Sequence, residues 1–242
     1  MSYIFREHIK QSLAVIAFLI ALTACTSESY DAGDGPNSYL TADLVLLHTS
    51  QDKSVRSALL DDGTTLQFSN PFAQDWLTRP DSVYRALLYY DKTVAASDAA
   101  ASNPTATSVV RARSVRPVSV LRPVEAEDMK TLRTDPVGFE SLWMSKNGSY
   151  INLSLLLKSG KTEVDDALHA LGIVSHGTTT GADRRRTLHL TLYHDQGGVP
   201  AYYTVQQYVS IPTQLLEEAD TVELTLNTYN GKKVMKVAVS NL

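Results

Sequence analysis

Three turn signals partition this chain. Asp62-Gly63, Asn147-Gly148 and Asn230-Gly231 each lie between two strand-length runs rich in apolar residues. Gly after Asn or Asp supplies the positive φ that a two-residue hairpin turn requires. Alternation with period 2 gives each strand one apolar face and one polar face. A chain punctuated this way is built from hairpins, and the expected class is all-β.

The runs fall into two groups. Tyr39–His48, Ser54–Leu60, Thr64–Phe68, Val83–Tyr90 and Val109–Leu121 are five candidate strands, the number that closes a small OB-like barrel. Asn70-Pro71 reads as a loop, Thr93–Ser108 as a mobile loop, and Pro117 as a kink or an edge position. Arg122–Pro136 carries two prolines around charged residues and reads as a connection. The second group holds Ser141–Lys146, Tyr150–Lys158, Leu188–Tyr193, Ala201–Ile211, Val222–Leu226 and Val234–Val239. Its hairpin spacing predicts an antiparallel β-sandwich. Within Tyr150–Lys158, Ile151, Leu153, Leu155 and Leu157 share the core face, with Asn152, Ser154 and Lys158 opposite. Thr162 and Asp165 resemble a capping box and Gly172 a stop, so Thr162–Leu171 is expected to be a short helix. Ser175–Asp183 reads as a Gly/Thr loop. Pro212–Ala219 reads as one or two helical turns, with Pro212 near the first helical position. The division is thus 39–122 barrel, 123–136 linker and 137–242 sandwich.

Ahead of these lies a different kind of segment. Arg6 and Lys10 precede the apolar run Ser12–Leu22, and small residues follow. This is the pattern of a secretory signal, too short for a comfortable transmembrane helix. The only cysteine of the chain, Cys25, comes directly after Leu22, Thr23 and Ala24. That tetrad resembles a bacterial lipobox, in which the thiol, nucleophilic as its thiolate, is acylated. The expectation is a signal peptide over 1–24 and a lipid (palmitate-type) anchor on Cys25. Residues 25–38 form an acidic tether with Glu28, Asp31 and Asp34. Thr26, rather than Asp, after the cysteine favours the outer membrane, and the acidic tether favours the cell surface over the periplasmic face.

Composition narrows the function. A net charge of -4 argues against a dedicated nucleic-acid binder. A single cysteine permits no intramolecular disulfide and no multi-cysteine zinc site. His189 and His194 are five apart on one strand and point to opposite faces, His176 is assigned to a loop, and His169 to a helix, alone, so no metal or other cofactor is expected. No G-x-S-x-G motif is present, and the chain is read as a non-enzyme. Arg184, Arg185 and Arg186 form a basic cluster. Tyr202 and Tyr203, with Tyr208, are candidates for a sugar-stacking platform. These residues make up the candidate ligand surface.

The lipobox Leu22–Cys25, the stretch Leu59–Leu66, the strand end Leu87-Leu-Tyr-Tyr90, the segment Asn147–Ser154 and the His194-Asp195 turn together resemble the NigD-like lipoprotein family. The resemblance implies an N-terminal OB-like barrel and a C-terminal β-sandwich, with a bacteriocin-immunity role suggested by the gene clusters that named the family. It brings no catalytic residues. The expected function is that of an outer-membrane lipoprotein with a non-catalytic binding or protective role, partnered by the membrane and by a protein or glycan. The alternative is a cell-surface glycan-binding or complex-assembly module.

Overall fold

The computed structural model describes residues 40–92, 108–161, 168–216 and 219–239. The signal segment, the lipobox, the tether and most of the Thr93–Ser108 loop lie outside the described residues. Residues 40–242 form one compact unit, to which all that follows belongs. Among the described residues no helix is long and apolar enough to cross a membrane.

Five strands form a closed barrel: β1 (Leu40–Thr49), β2 (Val55–Leu60), β3 (Thr65–Phe72), β4 (Val83–Lys92) and β5 (Ser108–Pro117), ordered β1-β2-β3-β5-β4. Only β3 and β5 pair in parallel; β1 closes against β4. Val45, Leu47, Ala58, Leu66, Ala86 and Leu88 fill the interior. The β2–β3 hairpin turns on Gly63 at φ 89. Asn70-Pro71 is not a loop but the end of β3. The side chains of Ser69 and Asn70 donate to the Val110 and Ala112 carbonyls of β5, a tie that needs no N–H from Pro71.

Nine strands build the sandwich: β6 (Ser119–Val120), β7 (Pro123–Glu125), β8 (Gly138–Met144), β9 (Tyr150–Ser159), β10 (Ala170–Thr180), β11 (Arg186–Asp195), β12 (Tyr203–Pro212), β13 (Thr221–Thr228) and β14 (Gly231–Ala238). One sheet has the order β14-β13-β11-β10-β7 and the other β6-β12-β9-β8. The long neighbours are mostly antiparallel, with parallel pairings of β6 with β12, β7 with β10 and β11 with β13. Ile151, Leu153, Leu155 and Leu157 enter the core against Leu188, Leu190, Leu224 and Leu226.

Several expectations are corrected. Val109–Leu121 is not one strand. Pro117 ends β5, Val118 N–H donates to the Arg85 carbonyl, and Ser119–Val120 joins β12 in the sandwich. Proline has no N–H to continue a ladder, so the chain changes domain there. Residues 123–136 are held by the sandwich: Pro123–Glu125 pairs with β10, and Thr134 bridges His194. The helix expected over Thr162–Leu171 has its first part outside the described residues. Leu168 and His169 are not helical, and Ala170 begins β10. Gly172 therefore stands within a strand, opposite Tyr193. The loop expected at Ser175–Asp183 is β10 as far as Thr180, with a bulge between Ser175 and Thr178. Pro212 closes β12 and caps a single 3-10 turn, Thr213–Leu215.

Candidate functional site

Strand periodicity sends Ala86, Leu88 and Tyr90 into the barrel and Arg85, Leu87 and Tyr89 outward. On the sandwich, the register of β8, β9 and β12 sets Trp143, Asn152 and Ser210 in one cross-strand row and Ser141, Ser154 and Tyr208 in the next. This second face, polar in sequence, is covered in part, with Glu140 and Gln206 left exposed. Asn152 and Ser210 are buried where Arg85 of the barrel meets them, whereas Ser154, also buried, is covered by Glu140 and Gln206 of the sandwich itself.

Arg85 is the centre of that contact. Its Nη1 and Nη2 donate to the two carboxylate oxygens of Asp61 at 2.5 and 2.7 Å. Nη2 also donates to Asn152 Oδ1 at 3.0 Å and Nε to Ser210 Oγ at 3.1 Å. Asn152 Nδ2 donates back to Asp61 Oδ2, and Ser210 Oγ to Asn152 Oδ1. The guanidinium stands 4.3 Å from the centre of the Tyr150 ring. A buried charge is costly unless paired and fully hydrogen-bonded, and this bidentate arrangement with its polar neighbours meets that condition. The turn is held a second time, since Asn147 N–H donates to the Asp61 carbonyl. Barrel and sandwich are stapled by groups from both.

Beside the staple opens a cleft of about 390 Å³ whose lining includes Asp43, Asp62, Tyr89, Trp143, Lys146 and Tyr208. At its back Leu44, Leu87 and Val118 form a small apolar cluster against the three aromatic rings. Trp143 and Tyr208 meet edge to face, centroids 6.3 Å apart. Asp43 Oδ2 accepts from the Tyr90 hydroxyl at 2.8 Å. Burial, reinforced by that carboxylate, raises the Tyr90 phenol far above its ordinary range. Partial burial works against the charge of Asp62, but the Thr64 N–H and hydroxyl and the Lys146 ammonium outweigh it and hold its carboxyl below the ordinary range.

The residues singled out in the sequence do not converge. Tyr202 and Tyr203 are exposed at the start of β12. Tyr208 is five positions after Tyr203, an odd separation, so it projects from the opposite face of the sheet and lines the cleft instead. Arg184–Arg186 lies at the β10–β11 turn, the far end of β11 from the turn leading to Tyr202, about 30 Å away at the usual rise per residue. Arg185 pairs loosely with Asp183 at 3.8 Å. Cys25, Leu22, Thr23 and Ala24 lie outside the described residues.

The histidines are corrected in part. His189 and His194 do face opposite sides. His169 is not alone: its Nδ1 is 2.9 Å from His194 Nε2 and the rings stack at 5.2 Å. His194 Nδ1 lies 2.9 Å from the Asp135 carbonyl and must donate to it, so in the neutral pair His194 Nε2 accepts from His169 Nδ1–H. On the outer face, Thr179 Oγ1, His189 and Glu223 Oε1 form a chain at 2.8 and 3.2 Å. That order resembles a hydroxyl–imidazole–carboxylate relay, but Thr179 lies outside the concavity that His176, His189 and Glu223 line. The same three strands make it a cross-strand polar ladder. Among the described residues no three His, Cys, Asp or Glu side chains converge to hold a metal.

The sequence reading missed Arg85, Asn152, Trp143 and Tyr89. The available signals were an arginine inside the apolar strand V-Y-R-A-L-L-Y-Y and an asparagine inside a leucine-rich one.

Among curated proteins none matches the chain. Solved structures do. A NigD-like immunity protein from Bacteroides caccae is 22% identical, with 81% of this chain and 91% of that one covered at a TM-score of 0.59. A protein of unknown function from Bacteroides vulgatus is 15% identical, with 83% and 92% covered at 0.58. A candidate lipoprotein from Bacteroides fragilis is 15% identical, with 83% and 98% covered at 0.58. At these identities the likeness is one of fold. Residues 120–239 match the NigD-like C-terminal β-sandwich domain. The match begins inside β6, where the chain leaves the barrel, and the sandwich of this chain is a domain of the NigD-like C-terminal family.

Proposed function

We propose that this chain is a lipid-anchored protein of the outer membrane that binds a partner without catalysis and serves a protective, bacteriocin-immunity-like role. The observation that carries the reading is the stapled cleft. The Arg85–Asp61–Asn152–Ser210 network holds barrel and sandwich as one pre-organised surface, the condition under which recognition costs least ordering. The cleft carboxylates have structural duties: Asp61 to Arg85, Asp43 to Tyr90, Asp62 to Thr64. This supports a binding role rather than acid–base work. The fold shared with an immunity protein and with a candidate lipoprotein supports the protective and anchored parts of the reading. The Leu22–Cys25 lipobox supports attachment through Cys25.

Deletion of the gene followed by challenge with bacteriocin preparations tests the role. Greater sensitivity is expected, restored by the full chain and not by Cys25→Ala. Unchanged sensitivity of the deletion strain overturns it. Labelled palmitate should enter the full chain and not the Cys25→Ala variant. Protease shaving of intact cells then reads the orientation, with loss of the sandwich expected for a surface-facing protein.

A further inference from the structure

We infer that the barrel–sandwich cleft is a subsite for a neutral saccharide, one or two hexose rings in extent, held by Trp143, Tyr89 and Tyr208 with Asp43, Asp62 and Lys146 as its polar rim. The inference rests on the reading of the cleft as the binding surface and adds the chemistry of the ligand. Three aromatic rings converge on a space of about 390 Å³, within the range of small-ligand sites. Within the described residues, the Trp143 indole N–H and the hydroxyls of Tyr89 and Tyr208 make no hydrogen bond. A purely apolar guest would leave those polar tips without partners, at a cost. A polyhydroxylated ring meets both demands. Its C–H face lies on the negative face of an aromatic ring, and its hydroxyls reach the tips.

Charge decides against the other candidates. Asp61 is neutralised by the bidentate Arg85. Asp62 and Lys146, of opposite charge, both line the cleft. Asp43 keeps one carboxylate oxygen free while the other accepts from Tyr90. The site therefore offers acceptors and a donor with nearly balanced charge. An anion would meet the uncompensated carboxylate of Asp43, and a multiply charged cationic peptide would find only that one group to pair with.

The chain has two tryptophans, and Trp76 packs on Tyr84 at the barrel, centroids 5.8 Å apart. In a Trp76→Phe background, Trp143 alone reports. Maltose, cellobiose, mannobiose and diacetylchitobiose are titrated into the full chain and indole fluorescence is followed. A saturable change with at least one disaccharide is expected. Asp43→Asn should weaken it about tenfold, the effect of losing a hydrogen bond to a charged group, and Tyr89→Phe should weaken it while leaving the melting temperature near that of the parent. No saturable change with any of the four overturns the proposal. So does a stronger response to tri-lysine than to every sugar. Bacteriocin challenge is scored separately. Silent sugars with a sensitised deletion strain sink the ligand class alone, whereas saturable sugar binding with no deletion phenotype sinks the protective role alone.

Discussion

Arg85 of the barrel donates to Asn152 of the sandwich across 3.0 Å, sixty-seven positions apart in the chain, with both side chains buried. Neither has a solvent alternative. The arginine needs the asparagine and serine as well as its carboxylate partner, and the asparagine on the polar side of β9 needs the barrel. The two domains are therefore a single energetic unit at this point.

Arg85→Ala is expected to destabilise the full chain by about 3 kcal/mol, because it leaves Asp61 without its partner and Asn152 and Ser210 short of donors. For a chain of this size that is a fall of about 6–12 °C in melting temperature. Calorimetry checks it. The double variant Arg85→Met with Asp61→Leu should recover part of the loss, since no charge is then left unpaired.

Leu155→Ala is expected to cost about 2–5 kcal/mol, because Leu155 is fully buried between the two sheets of the sandwich and its removal leaves a cavity. Tyr202→Ala should change stability by less than about 0.5 kcal/mol, because that ring is 78% exposed. Urea denaturation of the two variants side by side reads the contrast.

His169 binds its proton less readily than a free histidine, first because of desolvation and second because of the neighbouring His194. The folded-state pKa lies below 6.5, so as acid is added the unfolded chain takes up the proton first. Stability from this group is present above that value and is lost as pH falls through the window beneath it. Melting temperatures between about pH 7.5 and about pH 5.5 should fall, with a shallower slope in His169→Gln. The carboxylates held low, Asp62, Glu140 and Glu223, lose their contribution only at more acid pH, below their ordinary values.

Gly197→Ala should destabilise by about 1–3 kcal/mol. Gly197 has φ 62, and a Cβ there would lie 2.3 Å from the Leu168 carbonyl oxygen. Gly198→Ala faces a positive φ but open space, so its cost should be the smaller of the two. Urea midpoints at fixed pH separate them.

The features legible in the residue order are local ones. Period-2 alternation and Gly-containing turns place the barrel strands and the main sandwich hairpins, because the pleat and the turn conformation are properties of neighbouring residues. The core face of β9 follows from the same rule. What lies on the other face depends on contacts between distant parts of the chain. Asn152 and Ser154 read only as members of the face opposite the leucines, since polar residues on one side of a strand are satisfied equally by water, by the same sheet or by a second domain. The barrel supplies Arg85 to Asn152, and that choice depends on a contact no local pattern encodes. His169 likewise meets His194 because an antiparallel register brings the start of β10 to the end of β11. The cleft is made the same way: Tyr89 comes from the barrel and Trp143 and Tyr208 from the sandwich. Tyr203 stands apart from Tyr208 because a strand sends residues an odd number of positions apart to opposite faces, and Tyr202 precedes the strand, six positions from Tyr208.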